Sequence, residues 1–147
     1  MLFIDASVIV AILAEEEDAS TLMDRLEQHG GPYYVSAVVR MEATLSLTRR
    51  LAEVTGRDQP ATAEMMDTAR RLVDQFFSDL DCKEAMISGD VGAKALDAAQ
   101  QFDKIMNHPA RLNMGDCFTY ACARAYRTRI AYKGDDFSHT DLGWHSH

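Results

Sequence analysis

Apolar positions along the chain alternate between short bulky runs and longer stretches with helical spacing. Met1 to Ile4 has the compact apolar character of a buried strand, and Ser7 to Ala14 is apolar on all sides, which predicts a buried helix. Ala19, Leu22, Met23 and Leu26 follow at i, i+3, i+4 and i+7 spacing, and Gly30-Gly31-Pro32 ends that second helix. Tyr33 to Val35 predicts a strand. Ser36 is a suitable N-cap for a helix from Ala37 to about Val54, with Val38, Met41 and Leu45 as its inward face. Gly56 to Pro60 is a loop, and Thr62 caps a helix reaching about Phe77, with Ala61, Met65, Ala69, Leu72 and Phe76 on one face. A short strand at Ala85 to Ile87 precedes a Ser88-capped helix to about Met106, and His108-Pro109 breaks the chain again. An alanine-rich helix from Met114 to Tyr126 and a strand from Ile130 to Tyr132 complete the series. Strands alternating with helices imply an α/β protein whose parallel sheet is covered by helices on both faces.

The pattern is broken at Asp5. Four apolar residues precede this carboxylate and another apolar run follows, so it lies at a strand-to-helix turn where burial is expected. A buried charge is expensive unless something binds it, although capping the following helix is a sufficient local explanation.

Composition then narrows the setting. The 147 residues are 47% hydrophobic and 26% charged, as expected for one globular domain over residues 1–147. The opening apolar run stops at Glu15, short of the roughly 18 residues of a membrane span, and has no basic flank, so neither an anchor nor a signal peptide is expected. Cys82, Cys117 and Cys122 form no metal-type pair; they are expected to be buried thiols in a reducing cytoplasm. A net charge of −8 argues against sequence-independent binding to nucleic acid through many phosphate contacts. A nucleic-acid substrate remains compatible with it if a metal or a local basic patch offsets the charge.

In parallel sheets, sites form beyond the carboxyl ends of the strands. The acids that can converge there are Asp5, Glu42, Asp116, and either Asp135 or Asp136, from four separate segments. Each has a plain alternative: Asp116 can complement its helix dipole, Asp135-Asp136 can be turn residues, and Glu42 can be solvated. Together they make a specific kind of sense, because clustered carboxylates repel unless a divalent cation holds them, and oxygen donors without His or Cys favour Mg²⁺ or Mn²⁺. Such ions support hydrolysis of phosphodiesters.

The segments MLFIDASVIVAIL, YYVSAVVRMEATLSL, LNMGDCFTYACARA and IAYKGDDFSHTDL resemble, in that order, the four acidic motifs of PIN-domain ribonucleases, particularly VapC-type toxins of bacterial type II toxin–antitoxin pairs. The resemblance spans nearly the whole chain. It implies a three-layer α/β/α sandwich with a central, mainly parallel sheet, and an Mg²⁺- or Mn²⁺-dependent endoribonuclease. It also implies a homodimer, an RNA substrate and a cognate VapB-type antitoxin that can place a basic side chain near the acids. Carried over by position, Asp5, Glu42, Asp116 and Asp135 are the catalytic, metal-binding residues. Ser7 takes the hydroxyl position of the first motif. Asp136 is the alternative fourth acid, with Asp135 favoured as nearer the strand end.

Two competing functions remain on the sequence. GDDFSHTD, from Gly134 to Asp141, resembles the last acidic motif of haloacid-dehalogenase-like phosphatases, but their second Asp, two residues after the nucleophile, is replaced here by Ser7. A PIN-like scaffold without catalysis, acting by binding alone, is the other. Arg40, Arg49, Arg50, Arg124, Arg127, Arg129 and Lys133 are the candidate RNA-gripping cations, with solvated surface charge as the bland reading of each. Phe118, Tyr120 and Tyr126 are read as packing rather than base stacking, and His139, His145 and His147 as a surface tail.

Overall fold

The structure is a computed structural model that describes residues 1–144. Its centre is a four-stranded, all-parallel sheet in the order β3-β2-β1-β4, formed by β1 (Leu2–Ile4), β2 (Tyr33–Ser36), β3 (Lys83–Ala85) and β4 (Arg129–Ala131). Leu2, Phe3 and Ile4 are all 0% exposed, so the central strand is covered on both faces, as parallel connections through helices require. The covering helices are α1 (Ala6–Leu13), α2 (Ala19–His29), α3 (Ala37–Thr55), α4 (Ala63–Asp79), α5 (Gly89–Phe102) and α6 (Met114–Ala125). The expected α/β/α sandwich is therefore present.

The capping residues read from the sequence act as caps. Ser36, Thr62 and Ser88 accept hydrogen bonds from Val39, Met65 and Val91 backbone N–H groups at 3.2, 3.2 and 3.3 Å. Strand limits differ from the sequence reading by one or two residues, for a reason that lies in the partner strands. β2 ends where Ser36 turns to cap α3, and Ser36 pairs with Ala85, so β3 stops there instead of running to Ile87. Likewise β4 stops at Ala131, paired with Ile4, because β1 turns at Asp5 into α1.

Two helical faces also differ. α3 turns Val39, Ala43, Thr44, Leu47 and Thr48 inward, leaving Met41 and Leu45 56% and 39% exposed; the Thr48 hydroxyl is satisfied by donating to the Thr44 carbonyl at 2.7 Å. α4 buries Ala69 and Phe76 of its expected face, but joins them with Val73 and Phe77, leaving Leu72 38% exposed and Ala61 and Met65 outside the core. The helix expected to reach Met106 ends at Phe102, because Asp103 is extended and its carboxylate caps a separate 3₁₀ turn, Lys104–Met106, at Ile105 N–H, 2.9 Å away.

The remaining side-chain expectations fall mostly within packing. Cys117 and Cys122 are buried and Cys82 is half-buried; burial pushes their thiols up to about 11, 11 and 12, so they stay protonated. Tyr126 stacks on Tyr34 with ring centroids 5.1 Å apart. The Tyr120 hydroxyl donates to Asp141 Oδ1 at 2.5 Å. His139 is exposed, while His145 and His147 lie outside the described residues.

After β4 the chain is tied back by Phe137, 1% exposed and set edge-on to Tyr132 at 5.6 Å. A Phe137→Ala substitution is expected to lower stability by about 3–5 kcal/mol in urea unfolding. A loss below about 1 kcal/mol would show that this loop is not anchored by its aromatic.

Candidate functional site

The strand order makes one place in the sheet special. Going from β1 the chain adds β2 and β3 on one side and returns to place β4 on the other, so the connections diverge at the carboxyl ends of β1 and β4. A crevice opens at such a reversal. Here it is a cleft of about 520 Å³, with Asp5, Glu42, Asp116 and Asp136 among its walls.

Asp5 is positioned by backbone and side chain together. Its N–H donates to the Ala131 carbonyl at 2.9 Å, continuing the β1–β4 ladder by one step. Its carboxylate caps α1, with Oδ2 accepting from Ser7 N–H at 3.0 Å and from the Ser7 hydroxyl at 2.6 Å. Oδ1 accepts from the buried Thr119 hydroxyl at 3.3 Å. Ser7 Oγ in turn accepts from the Lys133 backbone N–H at 3.0 Å, which locks the end of β4 to the start of α1. Burial raises the Asp5 pKa above the usual carboxylate value, and the hydrogen bonds from Ser7 and Thr119 only partly offset it.

Asp116 enters from α6 through a capping box. Asn113 Oδ1 accepts from Asp116 N–H at 2.9 Å, while Asp116 Oδ2 accepts from Asn113 N–H at 3.1 Å. Its other oxygen is left for the cleft. Burial first, and then the Asp5 charge, push Asp116 up to about 8, and Asp136 adds to the rise. Glu42 comes from α3, on the flank of the buried Val39–Ala43–Leu47 face, and is pushed up to about 7 by burial and by Asp5. No hydrogen bond engages the Glu42 carboxylate among the described residues.

Glu42 has room because residue 115 has no side chain. A Cβ on Gly115 would overlap the Glu42 carboxylate. Gly115 and Thr119 are the site residues that sequence reasoning missed. The glycine next to Asp116, where a helix begins, was the available signal; nothing local marked Thr119.

Of the two adjacent acids after β4, it is Asp136 that lines the cleft, whereas the sequence reading favoured Asp135. Both side chains are exposed, but Asp135 starts a turn, its carbonyl accepting from Ser138 N–H and Oγ at 3.1 and 2.6 Å, and it does not line the cleft. The cleft rim mixes cations with acids, Arg49, Arg50 and Lys133 beside Glu16 and Glu53. Lys133 Nζ bridges Glu16 Oε2 and Asp18 Oδ1 at 2.7 and 3.0 Å, Arg50 pairs with the same Glu16, and Arg49 Nη2 donates to Ser46 Oγ at 3.1 Å. Arg40 is held by Asp74 and Glu84, and Arg124 by Asp141, outside the cleft walls. Asp141 is thus a packing and pairing residue, which removes the last acid of the phosphatase-like pattern from the site.

Among the described residues, no three His, Cys, Asp or Glu side chains are grouped as a ready-made metal cage. The donor chemistry still fits a hard divalent cation. The carboxylates raise one another's pKa, the glycine cradle leaves space beside Glu42, and Mg²⁺ typically uses one or two carboxylates with water rather than a full protein shell.

The family model for the PIN domain matches residues 2–142. A VapC ribonuclease of Rhizobium meliloti is 44% identical over 97% of this chain and 100% of its own length. Ribonuclease VapC42 of Mycobacterium tuberculosis is 32% identical over 96% of each chain. The crystal structure of Mycobacterium tuberculosis VapC20, a sarcin–ricin loop cleaving toxin, superposes with a TM-score of 0.68 at 16% identity, covering 97% of this chain and 96% of that one. That likeness is one of fold.

Two predictions arise from this geometry. Because the folded pKa values of Glu42 and Asp116 are raised, the stability these groups contribute is full below about pH 4 and is lost as pH rises through about 7 and 8. In chelator-treated protein, Asp116→Asn keeps an acceptor for Asn113 and is expected to gain on the order of 2 kcal/mol at pH 9 but little at pH 5. Equal urea midpoints for variant and wild type at pH 9 would refute this. Gly115→Ala is expected to leave stability within about 1 kcal/mol, since alanine favours the helix, while displacing Glu42 and reducing activity. Unfolding and cleavage assays on the one variant test both halves.

Proposed function

Because this chain belongs to the PIN-domain family, we propose that it is a VapC-type toxin, a divalent-cation-dependent endoribonuclease that hydrolyses phosphodiester bonds in RNA. The observation that carries the reading is the convergence of Asp5, Glu42, Asp116 and Asp136 on one cleft at the point where the sheet connections reverse. Because it lines the cleft, Asp136 rather than Asp135 is the fourth acid of this reading. The resemblance to VapC toxins also supports a VapB-type antitoxin as partner and a homodimer as the working form. A net charge of −8, with acids on the cleft floor, would draw a basic antitoxin segment electrostatically.

Asp5, Glu42, Asp116 and Asp136 are the residues that would hold Mg²⁺ or Mn²⁺. A bound ion of this kind neutralises charge on the phosphate and makes water a better nucleophile. Asp5 has both oxygens committed to Ser7 and Thr119 and so is a fixed anchor. Asp116 offers one oxygen while the other stays in the capping box. Hydrolysis joins the water oxygen to phosphorus, breaks the bond to the leaving ribose oxygen and transfers a proton from the water. Glu42, with neither oxygen hydrogen-bonded to protein among the described residues, is the carboxylate best able to accept that proton.

Inducing wild type and Asp5→Asn in growing bacteria and mapping new RNA 5′ ends tests the reading. Discrete cuts that fall by about 100-fold or more in the variant are expected. In parallel, Mn²⁺ at about 100 times its Kd should add about 2.7 kcal/mol to wild-type stability and far less to Asp116→Asn. No cation response and no cuts from folded wild type would favour a binding scaffold instead.

A further inference from the structure

We propose that Arg49 receives an RNA phosphate at the mouth of the acidic cleft, next to the phosphate that is cleaved. This rests on the ribonuclease reading and names the residue that grips its substrate. Three cations line the cleft, Arg49, Arg50 and Lys133. Arg50 and Lys133 are both committed to Glu16, whose side chain is only 21% exposed and whose pKa their hydrogen bonds hold below the ordinary carboxylate value. Releasing either to an RNA phosphate would leave a poorly solvated carboxylate without that partner. They shape the rim.

Arg49 differs. Among the described residues its guanidinium pairs with no carboxylate and contacts only the Ser46 hydroxyl, at 3.1 Å. It is exposed, so most of its donors face the cleft or solvent. Glu42, Ser46 and Arg49 follow one another at i, i+4 and i+7 along α3, and all three line the cleft. Seven residues of helix place the Arg49 backbone about 10 Å along the axis from that of Glu42. A strand whose reacting phosphate lies over the carboxylates and that runs along α3 brings a neighbouring phosphate within side-chain reach of the guanidinium. The planar fork of arginine suits two phosphate oxygens at once, and an anionic strand entering a cleft of acids needs such a counter-charge. The other arginines that sequence alone left open do not compete here, since none of Arg40, Arg124, Arg127 and Arg129 lines the cleft: Arg40 is paired with Asp74 and Glu84, Arg124 with Asp141, and Arg129 donates to the Asp141 and Gly143 carbonyls.

The test uses the full chain carrying Asp116→Asn, to suppress cleavage, and a fluorescein-labelled RNA hairpin with a single-stranded loop. Anisotropy titrations at several KCl concentrations and constant Mg²⁺ give affinity and its salt slope. Adding Arg49→Gln is expected to weaken binding by about 5-fold or more and to flatten the slope of log K against log salt by about 0.7, one phosphate on a single strand. Arg49→Lys should restore the slope. In the cleaving protein, Arg49→Gln should raise KM more than it lowers kcat. Unchanged affinity and slope, in protein that still cuts RNA, would overturn the role of Arg49 and leave the ribonuclease standing. If the wild type neither binds nor cuts RNA, both readings fall together.

Discussion

A carboxylate buried at the end of the central strand is the constraint around which the rest of this structure is arranged. Asp5 must stay where β1 turns into α1, because its backbone completes the ladder to β4 and its side chain caps the helix. Neither duty requires a charge in the core, since a serine could cap the same helix at less electrostatic cost. The surroundings support the charge nonetheless. Ser7 gives it two hydrogen bonds, Thr119 a third, and the Lys133 amide fixes Ser7 from the neighbouring strand. Even so the Asp5 pKa remains raised, so the support is incomplete.

Glu42 and Asp116 deepen that deficit instead of relieving it. Each is raised by burial and by Asp5, and two of the three basic side chains nearby, Arg50 and Lys133, are turned to Glu16 and Asp18 on the rim. Charge is thus segregated within one cleft, with anions on the floor and cations at the edge, two of them already paired. A fold optimised for stability alone would place the cations among the acids. The small side of Gly115 reinforces the point: it admits a third carboxylate where almost any other residue would keep it out.

Much of this was readable from the chain, and the exceptions share a cause. Helix starts at Ser36, Thr62 and Ser88 were legible because a cap is a local event between a hydroxyl and an amide three residues on. Strand ends were less so, since β3 and β4 stop where β2 and β1 turn away, and that information lies 40 or more residues distant in sequence. The α3 face was misread because Thr44 and Thr48 look polar in sequence, yet Thr48 satisfies its hydroxyl within its own helix. That Asp5, Glu42 and Asp116 meet in one cleft was legible from position and resemblance. The choice between Asp135 and Asp136 was not, because it depends on a turn closed by Ser138 and on Phe137 entering the core beyond it.

The unmet charge also bears on what can bind. A cleft whose carboxylates titrate near 7 and 8 gains free energy from any cation that enters it, and the gain grows as pH rises and those protons leave. A divalent ion, or a basic side chain delivered by a protein partner, answers the same electrostatic demand. Such ligands are therefore mutually exclusive on physical grounds, whichever reaches the floor first. An RNA strand is the opposite case, repelled by the charged floor and held more tightly as a cation lowers that charge. On the proposed reading, activity and neutralisation become two outcomes of one competition for the charge around Asp5.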